Sequence, residues 1–230
     1  MRISKKKTTH LNRRTAQRES YDLVLIVCEG RETEPNYVES LREHEDLSSV
    51  NVVITVESHS DPMSVVNHAI KIYEERANEK NPSTLFDKVY CLIDRDEHAK
   101  FDAAVHKANT YTYKGKRNIL TIVRSYPCFE YWYLCHFKYS RAGIHKIGSK
   151  TAGDACTSLL NPLWQTIFGT KYTKNQSNVY PKLAHLIQIA ITNSKRALQD
   201  TESSSDMNPS TEVHLLVEYL LNIKNPSTKK

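Results

Sequence analysis

The chain has 230 residues, 39% of them hydrophobic and 25% charged, which is enough apolar material for a core and too much for wholesale disorder. No apolar run approaches the roughly eighteen residues of a membrane helix. The opening Met1-Arg2-Ile3-Ser4-Lys5-Lys6-Lys7 lacks the apolar centre of a secretory signal. Five cysteines (Cys28, Cys91, Cys128, Cys135, Cys156) form no C-x-x-C pair and lie mostly in apolar runs. They predict buried free thiols in a reducing compartment, not disulfides or zinc. A cytosolic globular protein is expected.

The net charge of +6 is uneven: residues 1–20 hold seven basic side chains against Glu19 alone, leaving 25 of each sign in the remainder. Polar and nearly free of apolar residues, this segment reads as a mobile basic arm. In it Arg13 and Arg14 are candidate phosphate contacts; a solubilising tail is the alternative.

Leu23 to Cys28 is a continuous apolar and β-branched run, the pattern of a strand covered on both faces. Glu34-Pro35 opens a helix through about Glu45, and Val50 to Val56 is a second strand. Ser60-Asp61-Pro62 supplies a cap and a first-turn proline for a helix through Tyr73. Lys88 to Ile93 is a third strand, Ala99 to Thr112 a helix, and Asn118 to Val123 a fourth strand. Beyond Ser125 the pattern is helical, over Cys128–Lys138, Ala155–Phe168, Val179–Leu198 and Thr211–Ile223. Gly148-Ser149-Lys150 and Ser203-Ser204-Ser205-Asp206 are read as linkers. Alternating strands and helices imply a parallel sheet. The expectation is thus an α/β core over 21–125 and a helical C-terminal region over 126–230 packed upon it.

In such sheets ligands gather beyond the carboxyl ends of the strands, and two strands here end directly in acids. The first gives Cys28-Glu29-Gly30, the third Ile93-Asp94-Arg95-Asp96-Glu97-His98. Side chains two apart in an extended D-x-D share a face, so Asp94 and Asp96 can converge on one hard cation, with Glu29 across from them. Mg²⁺ or Mn²⁺ suits such oxygen ligands, and metal-assisted phosphoryl transfer or phosphodiester hydrolysis is the chemistry implied. Alone, a D-x-D at a strand end more often only caps the next helix, and Glu29-Gly30 is a weaker signal still; the pairing favours the metal.

With both motifs in place, the chain resembles the RloB-like family, whose catalytic core is similar to a Toprim domain. The resemblance is carried by Val27-Cys28-Glu29-Gly30 with Thr33-Glu34-Pro35-Asn36-Tyr37, and by Asp94-Arg95-Asp96-Glu97-His98. It continues in Ser125-Tyr126-Pro127-Cys128-Phe129-Glu130-Tyr131-Trp132 and in Asn208-Pro209-Ser210-Thr211. It implies a Toprim-like parallel sheet flanked by helices with a C-terminal helical half. It also implies a metal-dependent nuclease of a bacterial anti-phage or abortive-infection system, acting on DNA or RNA (tRNA included) beside an ATPase of the ABC or OLD type. By that pattern Asp94 and Asp96 bind Mg²⁺, and Glu29 binds metal or serves as general acid or base.

Other candidates rest on position. Glu34 at a helix start reads first as a dipole-favoured acid. His98, beside the carboxylates, is positioned to protonate a leaving oxygen, or else to cap. Glu130 follows Pro127 near the sheet's carboxyl edge and is a candidate fourth acid. Trp132 and Phe129 read as core. Arg95 and Arg124 flank the site as candidate phosphate contacts. Lys171, Lys174 and Lys182, interleaved with Tyr172 and Tyr180, form a candidate nucleic-acid face. The outer helical surface is the natural place for an ATPase partner or for self-association. A D-x-D glycosyltransferase leaves Glu29 without a role, and a non-catalytic adaptor leaves three intact acids without one. There is no Walker A motif and no G-x-G-x-x-G, so any ATP hydrolysis is expected of a partner.

Overall fold

The computed structural model describes residues 21–57, 61–79, 84–95 and 99–225. The expected basic arm with Arg13 and Arg14, and the positions Asp96 and His98, lie outside the described residues.

The first strand, β1 (Val24–Cys28), is buried along its whole length, as its unbroken apolar run requires. It leads to α1 (Thr33–His44), β2 (Val52–Val56), α2 (Pro62–Ala77), β3 (Lys88–Asp94), α3 (Phe101–Thr110) and β4 (Leu120–Tyr126). Helices α4 (Glu130–Phe137), α5 (Ala152–Phe168), α6 (Val179–Leu183) and α7 (Ile187–Ser204) follow. The chain then returns to the sheet as β5 (Ser210–Thr211) and ends in α8 (Val213–Asn222). Asp61 caps α2 by accepting from the amides of Met63 and Ser64, with Pro62 in the first turn. No helix among the described residues is long and apolar enough to cross a membrane.

The sheet order is β2-β1-β3-β4-β5, parallel throughout except for the antiparallel edge pair β4–β5. The chain runs from β1 to β2 on one side, then crosses over to β3 on the other. The neighbours β1 and β3 therefore flank the topological switch point, where outgoing loops diverge and leave a crevice. Alternate residues of the strands serve two cores. Val24, Ile26 and Cys28 face α1, α4 and the later helices. Leu25 and Val27 face α2 and α3.

The first of these cores is aromatic. The Tyr37 ring lies 5.6 Å from Phe129, 5.7 Å from Tyr133 and 5.7 Å from Tyr180, in tilted and edge-on packings. Trp164 and Tyr172, with rings 5.4 Å apart, extend it. Phe129 and Trp132 are core, as expected. The expectation that Tyr172 and Tyr180 stack nucleic-acid bases is corrected: they are 4% and 1% exposed, and seven of the thirteen tyrosines are buried. All five cysteines are free and buried.

Three segments differ from the sequence reading. The fourth strand runs three residues past Val123, to Tyr126. The long helix expected over 179–198 is broken into α6, a 3-10 turn at Ala184–Leu186, and α7, which runs on through Ser203 and Ser204. Thr211 belongs to β5, held by a polar network. Ser194 Oγ donates to Thr211 O at 2.7 Å, and the hydroxyls of Ser125 and Thr211 meet at 3.1 Å.

Arg124 also takes part in this edge. Its backbone amide and Nε donate to Glu212 Oε2 at 3.0 and 2.8 Å, and its Nη2 donates to Oε1. Arg124, expected as a phosphate contact, is thus engaged in a fork that pins α8 to β4. The carboxylate of Glu212 is 8% exposed as a residue, so removing its partner leaves a largely desolvated charge. Arg124→Ala is expected to lower unfolding free energy by about 1–3 kcal/mol in a urea titration. The double variant with Glu212→Gln should recover part of the loss; fully additive losses would show that the fork carries no coupling.

Candidate active site

Beyond the ends of β1 and β3 lies a cleft of 430 Å³, lined by Glu29, Glu34, Asp94 and Glu130 among others, with Arg31 and Lys174 as its basic members. The strand-end acids meet through the backbone. Glu29, whose own amide donates to Leu92 O at 3.2 Å, accepts the amide of Asp94 on Oε2 at 3.0 Å. Asp94 Oδ2 in turn accepts the amide of Phe129 at 3.2 Å, from the segment that opens α4. Glu29 and Asp94, separated by 65 residues in the chain, are thus locked to one edge.

Glu130 sits in the first turn of α4, a helix buried on every side. Its Oε1 is approached by Thr33 Oγ1 and Tyr172 OH, each at 3.4 Å, and by Lys174 Nζ at 3.7 Å. The Tyr133 hydroxyl donates to Thr33 O at 3.4 Å and so positions the opening of α1. Glu34 lies in the first turn of α1, where the dipole favours an acid, as read from the sequence, but it does more than that. The N-cap of α1 is Glu32, which makes no side-chain cap bond, while Glu34 is buried within the cleft. Its carboxylate fills the space above Gly30, where any Cβ would overlap it. A side chain at Gly30 would therefore push the Glu34 carboxylate out of its place, and no unusual φ is involved.

Crowding of acids sets the electrostatics. Burial first, then the charge of Glu130, pushes the Glu34 carboxyl up to about 7, against the pull of backbone amides at Glu34 and Gly30 and of Lys174. Asp94 is raised well above the ordinary carboxylate range by desolvation, then by Glu34, Glu130 and Glu29, with the Phe129 amide opposing. Lys174, more than half exposed, is raised as well, chiefly by the charge of Glu130, which favours its protonated form. Among the described residues no group of three or more His, Cys, Asp or Glu side chains converges as a ready metal cage.

Of the expected site residues, the fold brings Glu29, Asp94 and Glu130 together and adds Glu34 and Lys174. Lys174 belonged in the sequence reading to a candidate nucleic-acid face; it stands over Glu130, more than half exposed. Arg95 does not line the cleft. Its guanidinium lies 5.0 Å from the Phe101 ring and 4.0 Å from Asp102, on the α3 side of the sheet. Lys182 lies on α6 and Arg124 at the β5 edge, both away from the cleft. His136, buried on α4, donates from Nδ1 to Trp132 O at 2.9 Å and is lowered to about 4 by burial.

The fold and cleft define an α/β protein with an acidic site at the switch point of a mostly parallel sheet. The family model described as RloB-like protein matches residues 24–220, and the chain belongs to the RloB-like family. Comparison with curated proteins and with solved structures gave no match.

The raised carboxyls link stability to pH. The native state holds a proton on Glu34 that the unfolded chain releases near 4.5, so this stabilisation is complete below that pH and is lost as pH rises through about 7. In metal-free buffer, unfolding free energy should fall over that interval. Glu34→Gln should flatten the fall and leave the protein more stable at pH 8, by roughly 2–3 kcal/mol. Superimposable pH profiles for the two proteins would contradict the crowding.

Proposed function

We propose that this chain is a metal-dependent nuclease that hydrolyses nucleic-acid phosphodiesters. It would be the toxic effector of a bacterial anti-phage system and work with a partner ATPase. The observation that carries this reading is the tie between Glu29 and Asp94 across β1 and β3, at the head of a cleft shared with Glu34 and Glu130. Membership of the RloB-like family supports it.

The donor set is all carboxylate oxygen, which suits Mg²⁺ or Mn²⁺ over zinc or copper. Mg²⁺ takes one or two carboxylates and fills the rest of its shell with water and substrate phosphate, so a cleft without a closed protein cage fits it. Glu29 and Asp94 would hold it, with Asp96, outside the described residues, as third ligand. When bound, the ion supplies Lewis-acid polarisation of the phosphoryl group and a more acidic water.

The chain's own residues do the remainder. The Phe129 amide fixes one oxygen of Asp94, and the Asp94 amide fixes one of Glu29, so neither carboxylate needs to reorganise. Glu34 retains a proton near neutral pH and can deliver it to a leaving oxygen. Lys174 carries a positive charge beside Glu130, within reach of a phosphate entering the cleft. His98 is a second candidate acid.

The test is cleavage of plasmid DNA, single-stranded DNA and total tRNA in Mg²⁺, Mn²⁺ or EDTA, with wild type beside Asp94→Ala and Asp96→Ala. Cutting should require metal and fall at least about 100-fold in either variant while both remain folded. Undiminished cutting by the variants would remove these residues from the mechanism. Absence of both cutting and metal binding in the wild type would leave a non-catalytic adaptor.

A further inference from the structure

The segment between α4 and α5 ends in a tight hairpin. Ile147 and Lys150 exchange both backbone hydrogen bonds at 3.1 Å around Gly148-Ser149. Gly148 has a φ of 62°, a left-handed conformation that glycine adopts at no steric cost. The tip carries Ile147 at 70% exposure, the most exposed large hydrophobic side chain among the described residues. An isoleucine there forgoes roughly 2 kcal/mol of burial and contributes nothing to either core. Lys146 and Lys150, both exposed, stand on either side of it.

Two observations bring the end of this hairpin towards the acidic cleft through the start of α5. Its base passes directly into the capping box of α5, where Thr151 and Asp154 bond reciprocally. The Asp154 carboxyl is held low first by Thr151 and then by the charges of Lys174 and Lys150. Lys150 at the hairpin base and Lys174 over Glu130 thus both favour the charged form of Asp154. On the other side a Cβ at Gly153 would sit 3.9 Å from Cys128 Sγ, so the start of α5 abuts the residue preceding Phe129. Phe129 is the residue whose amide holds Asp94.

We infer that the Lys146–Ile147–Lys150 hairpin grips the nucleic-acid strand next to the cleft, the two lysines on phosphates and Ile147 wedged between neighbouring bases. The inference rests on the nuclease reading and deepens it. An apolar side chain flanked by cations matches the chemistry of a strand whose phosphates are anionic and whose base faces are apolar. It also accounts for an exposed isoleucine that the fold does not need. The cleft floor is largely acidic and repels a polyanion, so cations beside it, the hairpin lysines together with Lys174, supply the attraction.

Fluorescence anisotropy with labelled duplex and single-stranded oligonucleotides of one sequence, in Ca²⁺ and over a range of salt, tests it. The Lys146→Ala/Lys150→Ala variant should lower the slope of log affinity against log salt by roughly 1.4–1.8, the loss of two phosphate contacts. Ile147→Ser should weaken binding about tenfold or more with the slope unchanged. Both variants should melt with the wild type, because the side chains they change are exposed. Wild-type binding with neither variant altered would overturn the inference alone and leave the hairpin to an acidic protein partner. Failure of the wild type to bind either oligonucleotide would overturn the nuclease reading and the inference together.

Discussion

The amide of Asp94 donates to the carboxylate of Glu29 across two neighbouring parallel strands, and most of what is distinctive in this molecule depends on that bond. It forms where the sheet changes direction, because β1 and β3 are adjacent in space but separated in sequence by β2 and its crossover. At such a point the loops leave in opposite directions and a crevice opens between them. The bond also brings two like charges together in partly desolvated surroundings. Glu34 and Glu130 face the same cleft, so with Glu29 and Asp94 they crowd carboxylates together whose repulsion must be offset. Protonation, Lys174 or a bound cation can each do so, and the raised Glu34 and Asp94 carboxyls show how strongly the native fold leans on the first when no cation is present.

The crowding is held in place by packing. α4 presents no face to water, and Glu130 in its first turn is anchored by the aromatic residues that follow it. Tyr37 of α1, Phe129, Tyr133 and Tyr172 form one edge-on lattice that joins α1 to the later helices. Glu34 and Glu130 are carried by the two helices that meet there, so the core that buries these rings also sets the distance between the acids. The interior is close-packed and tolerates little shift. The helical half is thus part of the site's construction, and its return to the sheet through β5 and the Arg124–Glu212 fork binds it to the carboxyl edge a second time.

How much of this was legible follows from how local each signal is. Glu29 and Asp94 were readable because each ends an unbroken apolar run, and strand ends in a parallel sheet share an edge. Glu130 was readable from Pro127 and the end of the fourth strand. Glu34 was read only in part, since an acid in a first helical turn already has an adequate explanation in the dipole; its burial in the cleft beside Gly30 leaves no local signal. Lys174 lies in an irregular stretch between α5 and α6, and no periodicity predicts its arrival at Glu130. Arg124 lacked a visible partner because Glu212 is 88 residues away. The tyrosines misled for a different reason, since their phenolic tips suit surfaces as well as cores, and here the rings fill the core.

The central claim is that the cleft acids form one electrostatic unit that a divalent cation relieves. The most direct measurement is the thermal midpoint in EDTA and in rising Mn²⁺, for wild type and Asp94→Asn. A ligand bound only by the native state raises stability with its logarithmic excess over Kd. The account predicts that the wild-type midpoint climbs with Mn²⁺, while the variant starts higher in EDTA and climbs little. A wild-type midpoint indifferent to the cation, or a variant no more stable than wild type in EDTA, would contradict it.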